Sequence, residues 1–221
     1  MRVAVYYAPA PSDPLWRAAA TWLGRDAETA ALLQQPDIPD IGALTADPRV
    51  YGFHATLKPP MRLATSYDRF VGDVERIAAT VSAFELPPLA VAELSGFLAL
   101  RETRASPALH ALADACVVGL DGHRAAPDEA ELARRRKGGL PPAQEAMLVQ
   151  WGYPHVLETW FFHMTLTRRL TPEERSLIRP AAERHFAAAV ALPRRVEALS
   201  VFTQAGPGAP FLVAECLRLA G

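Results

Sequence analysis

Apolar positions recur along the chain in two rhythms, one of about three and a half residues and one of two. Over residues 68–84, Phe70, Val71, Val74, Ile77, Ala78 and Val81 fall at helical spacing, so the segment predicts an amphipathic helix. The same rhythm predicts a helix opened by Ser12-Asp13-Pro14 that carries Leu15, Trp16, Ala19, Trp22 and Leu23 and weakens at Gly24. Further helices are expected from Ser106-Pro107 to about Val118, over 127–136, from Pro141-Pro142 to Trp151, and from Thr171 to about Ala191. Thr171-Pro172-Glu173-Glu174 has the form of a capping box, with proline tolerated in the first turn. Residues 34–49 hold Pro36, Pro39, Gly42 and Pro48 and read as an irregular loop. Strands are expected at 3–8, at 89–100 with a bend at Gly96, at 196–203 and at 211–219, the last two joined as a hairpin.

Two further strands carry the same four-residue pattern. Tyr51-Gly52-Phe53-His54-Ala55-Thr56-Leu57-Lys58-Pro59-Pro60 is the first, and Trp160-Phe161-Phe162-His163-Met164-Thr165-Leu166-Thr167 is the second. Side chains alternate between the faces of a strand, so His and Thr two positions apart point the same way. Gly52, His54, Thr56 and Lys58 are then expected on one face of the first strand, and Phe161, His163, Thr165 and Thr167 on one face of the second. Pro59-Pro60 keeps the first strand from being a central ladder. Each motif is followed by a helix and then a strand, and the two histidines are 163 − 54 = 109 residues apart. That faint repeat predicts an α+β fold of two pseudo-symmetric lobes, with antiparallel sheets around a central cleft. Residues 1–221 would form one bilobal domain, with a first motif lobe around 45–105 and a second around 155–221.

Composition narrows the function classes. Hydrophobic residues make up 50% of the 221, enough for a sizeable core. With 23 basic and 24 acidic residues the formal charge is −1, which gives no bulk attraction to long nucleic acid or to an anionic membrane. Cys116 and Cys216, 100 residues apart, read as small buried residues rather than a disulfide, a metal pair or a redox motif. The N-terminal apolar run is broken by Pro9 and Pro11 before it reaches signal-peptide length, and no stretch approaches a membrane span, so a cytoplasmic location is expected. None of the six histidines has metal-ligand spacing, and there is neither a Gly-x-x-x-x-Gly-Lys phosphate loop nor a Gly-x-Ser-x-Gly elbow.

Two imidazoles and two hydroxyls facing one cleft suit a phosphodiester. In-line displacement at phosphorus needs a base on the attacking oxygen and an acid on the leaving oxygen, and histidine does either near neutral pH. The threonine hydroxyls can donate to non-bridging oxygens, and no metal or cofactor is required. Such a reading needs the two histidine side chains about 5–8 Å apart across the cleft, within reach of one phosphate. The paired His-x-Thr motifs, with Tyr51-Gly52-Phe53 before one and Trp151-Gly152-Tyr153-Pro154 upstream of the other, resemble the two-histidine (2H) phosphoesterase superfamily. They resemble in particular a branch encoded beside phosphonate-utilisation genes. The resemblance implies catalytic roles for His54 and His163, phosphate-binding roles for Thr56 and Thr165, and a metal-independent phosphodiesterase acting on a small cyclic or linear phosphodiester. Lys58 lies on the expected site face as a candidate phosphate ligand, and Tyr51 and Tyr153 as candidates for stacking or hydrogen bonding to substrate. Arg134-Arg135-Arg136-Lys137 reads as a solvated helix end, and His110, His123, His155 and His185 as structural or surface residues. The alternatives are a 2H scaffold that binds a nucleotide or phosphonate ester without turnover, and an RNA-end processing enzyme.

Overall fold

The structure, a computed structural model, describes all 221 residues. Its strands are β1 (Arg2–Tyr7), β2 (Ala55–Arg62), β3 (Phe84–Leu86), β4 (Leu89–Leu94), β5 (Phe97–Glu102), β6 (Met164–Thr165), β7 (Arg194–Val196), β8 (Ala198–Gln204) and β9 (Phe211–Arg218). Its helices are α1 (Pro14–Leu23), α2 (Ile41–Leu44), α3 (Ala46–Tyr51), α4 (Tyr67–Thr80), α5 (Pro107–Gly119), α6 (Glu129–Arg136), α7 (Pro142–Trp151) and α8 (Pro172–Val190). The strands pair antiparallel into a four-stranded sheet in the order β2-β1-β8-β9, a three-stranded sheet β4-β5-β6, and the small pair β3-β7. The fold is α+β, as the pattern predicts.

β1 is buried on both faces, which is why its sequence is a continuous apolar run rather than an alternation. Val3, Val5 and Tyr7 enter the main core with Ala55 and Leu57 of β2, Phe70 and Val74 of α4, and Leu112 and Cys116 of α5. Ala4 and Tyr6 face the other way, into a smaller cluster with Trp16, Phe202 and Phe211. Phe162, Met164 and Leu166, which alternate with the second motif's polar positions, sit in the main core.

Helix ends follow their local chemistry. Asp13, Ser66, Ser106, Asp128 and Thr171 each accept a backbone N–H at a helix N-terminus, and Thr171 with Glu174 forms the reciprocal capping box. One such cap stabilises by about 1 kcal/mol.

Four expectations need correcting. Residues 34–49 are not structureless, since α2 and most of α3 lie there, anchored by Ile41 and Leu44 in the core. Residues 89–100 are not one bent strand: β4 and β5 form a hairpin whose turn residues Ser95 and Gly96 have φ of 49° and 89°. Left-handed conformation at both turn positions is the geometry of a tight two-residue hairpin, which Gly96 permits. The second motif strand is only two residues long, and both histidines stand immediately before their strands rather than inside them. Cys216 is exposed on the edge strand β9, while Cys116 is buried. β2 does run through Pro59-Pro60, but as an edge strand, where a missing N–H costs no ladder bond. No helix is long and apolar enough to cross a membrane.

Candidate active site

The first motif begins where α3 ends. Gly52 caps that helix with φ +78°, and a Cβ there would lie 2.7 Å from the Ala27 Cβ, so only glycine fits. Its carbonyl accepts a hydrogen bond from Nδ1 of His54 at 2.9 Å. A carbonyl only accepts, so Nδ1 carries the hydrogen and Nε2 of the neutral ring is left with its lone pair. The ring of Tyr6 stacks on His54 with centroids 3.7 Å apart and planes inclined by 22°. Burial lowers the His54 pKa from 6.5 to about 4; the Gly52 carbonyl opposes the shift and nearby His163 adds to it. Thr56 stands two residues on, opposite Tyr6 in the ladder.

The second motif repeats this local geometry. Nδ1 of His163 donates to the carbonyl of Phe161, again two residues back, at 3.1 Å. Thr165 pairs opposite Ala99 of β5. The rings of Phe161 and Phe97 lie 4.9 and 6.1 Å from that of His163. The His163 pKa is also lowered, first by burial, against the Phe161 carbonyl, with His155 and Arg101 contributing. In both motifs burial alternates as the period of two requires: His54, Thr56, His163 and Thr165 are half-buried between fully buried apolar neighbours. The motifs are also tied to each other. β2 packs against β6, and the indole Nε1 of Trp160 donates to the carbonyl of Thr56 at 2.8 Å.

Tyr51 and Tyr153 join this neighbourhood. The Tyr51 ring lies 6.3 Å from His54 and stacks on Phe211 at 5.4 Å. Both tyrosines lie close enough to the buried Tyr6 phenol to help raise its pKa, though burial is the main cause. Tyr153 sits 5.9 Å from His155, under the guanidinium of Arg135 at 4.7 Å. Lys58 is placed elsewhere. Tyr6 pairs with Thr56 but Val5 pairs with Lys58, so Leu57 is an extra residue in β2. Such a bulge reverses the side-chain parity beyond it. Lys58 therefore turns to the core side, is 1% exposed, and donates to the Val117 carbonyl at 2.8 Å and to Asp121 at 3.0 Å.

Sequence reasoning passed over three residues that the fold brings here. Tyr6 is a polar-tipped ring in an otherwise apolar strand, and its hydroxyl is buried without a partner. His155 has the sequence pattern of a structural or surface residue, but its ring lies 5.8 Å from Phe161 and it contributes to the shift of His163. Nothing in the local sequence marks Arg101. The basic run also divides: Arg135 turns inward over Tyr153 and pairs with Glu131, while Arg134 and Arg136 stay exposed. His123 and His185 are structural, the first between Thr65 and Asp73, the second on the Ala18 carbonyl. No group of three or more His, Cys, Asp or Glu side chains is gathered where it would hold a metal ion.

Two curated proteins are similar along nearly the whole chain. Both are named "Ribose 1,5-bisphosphate phosphokinase PhnN". The one from Janthinobacterium sp. (strain Marseille) is 40% identical over 222 residues, covering 96% of this chain and 49% of that protein. The one from Laribacter hongkongensis (strain HLHK9) is 35% identical over 216 residues, covering 96% and 50%. The chain thus spans about half the length of the curated relatives it matches. Its residues 56–212, which carry both threonines and the second histidine, match one family, and the chain belongs to it: the family described as "Protein of unknown function (DUF1045)".

Proposed function

We propose that the chain is a metal-independent phosphodiesterase of the 2H type, with two pseudo-equivalent lobes, acting on a small cyclic or linear phosphodiester. The observation that carries this is the duplicated histidine geometry. Each imidazole gives its Nδ1–H to a carbonyl two residues back, which leaves its Nε2 lone pair free, and each stands two residues before a threonine. In the proposed reaction, Nε2 of His54 takes the proton of the attacking water as its oxygen bonds to phosphorus. The bond from phosphorus to the leaving oxygen breaks, and that oxygen takes a proton from Nε2 of His163. His54 is given the base role because burial holds its ring neutral, with the lone pair on Nε2. His163 gains its proton as the substrate's negative charge arrives beside it. Thr56 and Thr165 donate to the non-bridging oxygens.

The names of the relatives favour a second reading, a sugar-phosphate kinase. Against it, this chain has no Gly-x-x-x-x-Gly-Lys loop to cradle a nucleoside triphosphate. We assign the kinase activity to the half of those proteins that this chain does not match. The pairing of the two halves then favours a diester of a ribose phosphate as substrate, and keeps the phosphonate setting implied by the resemblance as part of the proposal. Incubating the protein with cyclic phosphates of ribose, other cyclic phosphodiesters and phosphonate esters, followed by phosphorus NMR, tests it. One diester resonance should convert to a monoester. Turnover of none of them, with phosphoryl transfer from a nucleoside triphosphate instead, would establish the kinase reading.

A further inference from the structure

We propose that Arg101 is the residue that binds the negative charge of the substrate phosphate. This rests on the phosphodiesterase reading and names a binding residue that reading does not contain. The pairing of β5 with β6 runs Ala99 to Thr165 and Leu100 to Met164, which carries Arg101 to the position across from His163. Residues directly opposite in an antiparallel pair share a face, so the guanidinium stands on the cleft side with His163 and Thr165. Its neighbours on that face are small: Ala90 is its partner in β4, and Ala92 pairs with Ala99 one step along. The guanidinium packs over the Phe161 ring at 5.8 Å from the centroid, and its Nε donates to the Phe162 carbonyl at 3.3 Å. That contact leaves the terminal nitrogens, the forked end that matches a phosphate, without a protein hydrogen bond.

Charge decides between the two arginines seated on aromatic rings of the second motif block. Arg135, over Tyr153, is paired with Glu131 at 2.8 Å. Arg101 has no carboxylate within ion-pair distance, and the adjacent Glu102 shares the opposite face of the sheet with Leu89 and Leu100. A half-buried cation without a counter-ion is costly unless something supplies one. Both motif histidines are held toward the neutral form, so they do not offset an incoming anion. Arg101 brings a positive charge without a carboxylate partner to the side of His163, which matches the single negative charge of a phosphodiester.

The test uses the full chain and dimethyl phosphate, a diester monoanion, followed through the ring resonances of His163 and the Nε–H of Arg101. In the wild-type protein both signals should move on titration. Arg101→Gln should weaken binding about 10–100-fold, the loss expected for a charge-assisted contact. Arg101→Lys should fall between, keeping the charge and losing the fork. Arg175→Gln, which removes a charge paired with Glu93 of β4, should bind as wild type. With a turned-over substrate, Arg101→Gln should raise KM more than it lowers kcat. Unchanged affinity in Arg101→Gln, or no wild-type response at all, overturns the assignment. Full turnover in His54→Ala and His163→Ala would instead overturn the phosphodiesterase reading beneath it, so the two failures are distinguishable.

Discussion

The two histidines share one local geometry and sit in different surroundings. Both donate Nδ1–H two residues back, and both lie two residues before a threonine. Around His54 the partners are aromatic: Tyr6 lies flat on it, with Phe202 and Tyr51 each at 6.3 Å. Around His163 they are mixed, with Phe161 and Phe97 on one hand and Arg101 and His155 on the other. The supporting strands differ as well, eight residues in β2 against two in β6. Local sequence thus sets which nitrogen is free, while the neighbours brought by the fold set the charge. Two near-identical motifs can then take unequal roles.

The largest expected effect removes the shared part. His54→Ala and His163→Ala should each lower kcat on a confirmed diester by about 10²–10⁴-fold. The double variant should be little worse than either single one, since groups acting as a unit are not additive. Wild-type turnover in both single variants would reduce the pair to scaffold.

The next effect tests the difference between them. His54 has a native pKa of about 4 against an ordinary value of 6.5. Between those values the unfolded chain binds a proton that the native protein does not. Stability from this group is therefore complete above pH 6.5 and is lost as pH falls toward 4. Its full size is about 3 kcal/mol. Urea unfolding between pH 4 and 7.5 should show a shallower pH dependence in His54→Gln than in wild type, with a smaller change in His163→Gln. Parallel curves for wild type and His54→Gln would deny the buried, neutral His54.

Thr56→Val and Thr165→Val should each weaken transition-state binding by about 1–3 kcal/mol, read as kcat/KM, for loss of one donor to a charged oxygen. A loss confined to one of them would mean that the two halves differ in phosphate contact as well as in charge. The smallest expected effect is none: thorough chelation should leave the rate unchanged, because two imidazoles can carry both protons. Loss on chelation, restored by one divalent ion, would replace this mechanism.

Much of the fold was legible because its signals are local. Caps such as Asp13, Ser106 and Thr171 act on the next three residues, and the stripe of α4 depends only on helical spacing. The two His-x-Thr patterns likewise announce themselves, since a period of two forces each histidine and threonine to one side while their apolar neighbours are buried. That the chain has an α+β fold, and that His54, Thr56, His163 and Thr165 alternate with buried apolar residues, was therefore written in the sequence. Register, pairing and charge compensation were not. One additional residue at Leu57 turns Lys58 from the side of Thr56 to the core, where Asp121, 63 residues away, receives it. The positions of Tyr6 on His54 and of Arg101 across from His163 follow from which strands pair, a choice settled by burial of the whole apolar surface. Such contacts join residues tens of positions apart, and no local pattern encodes them.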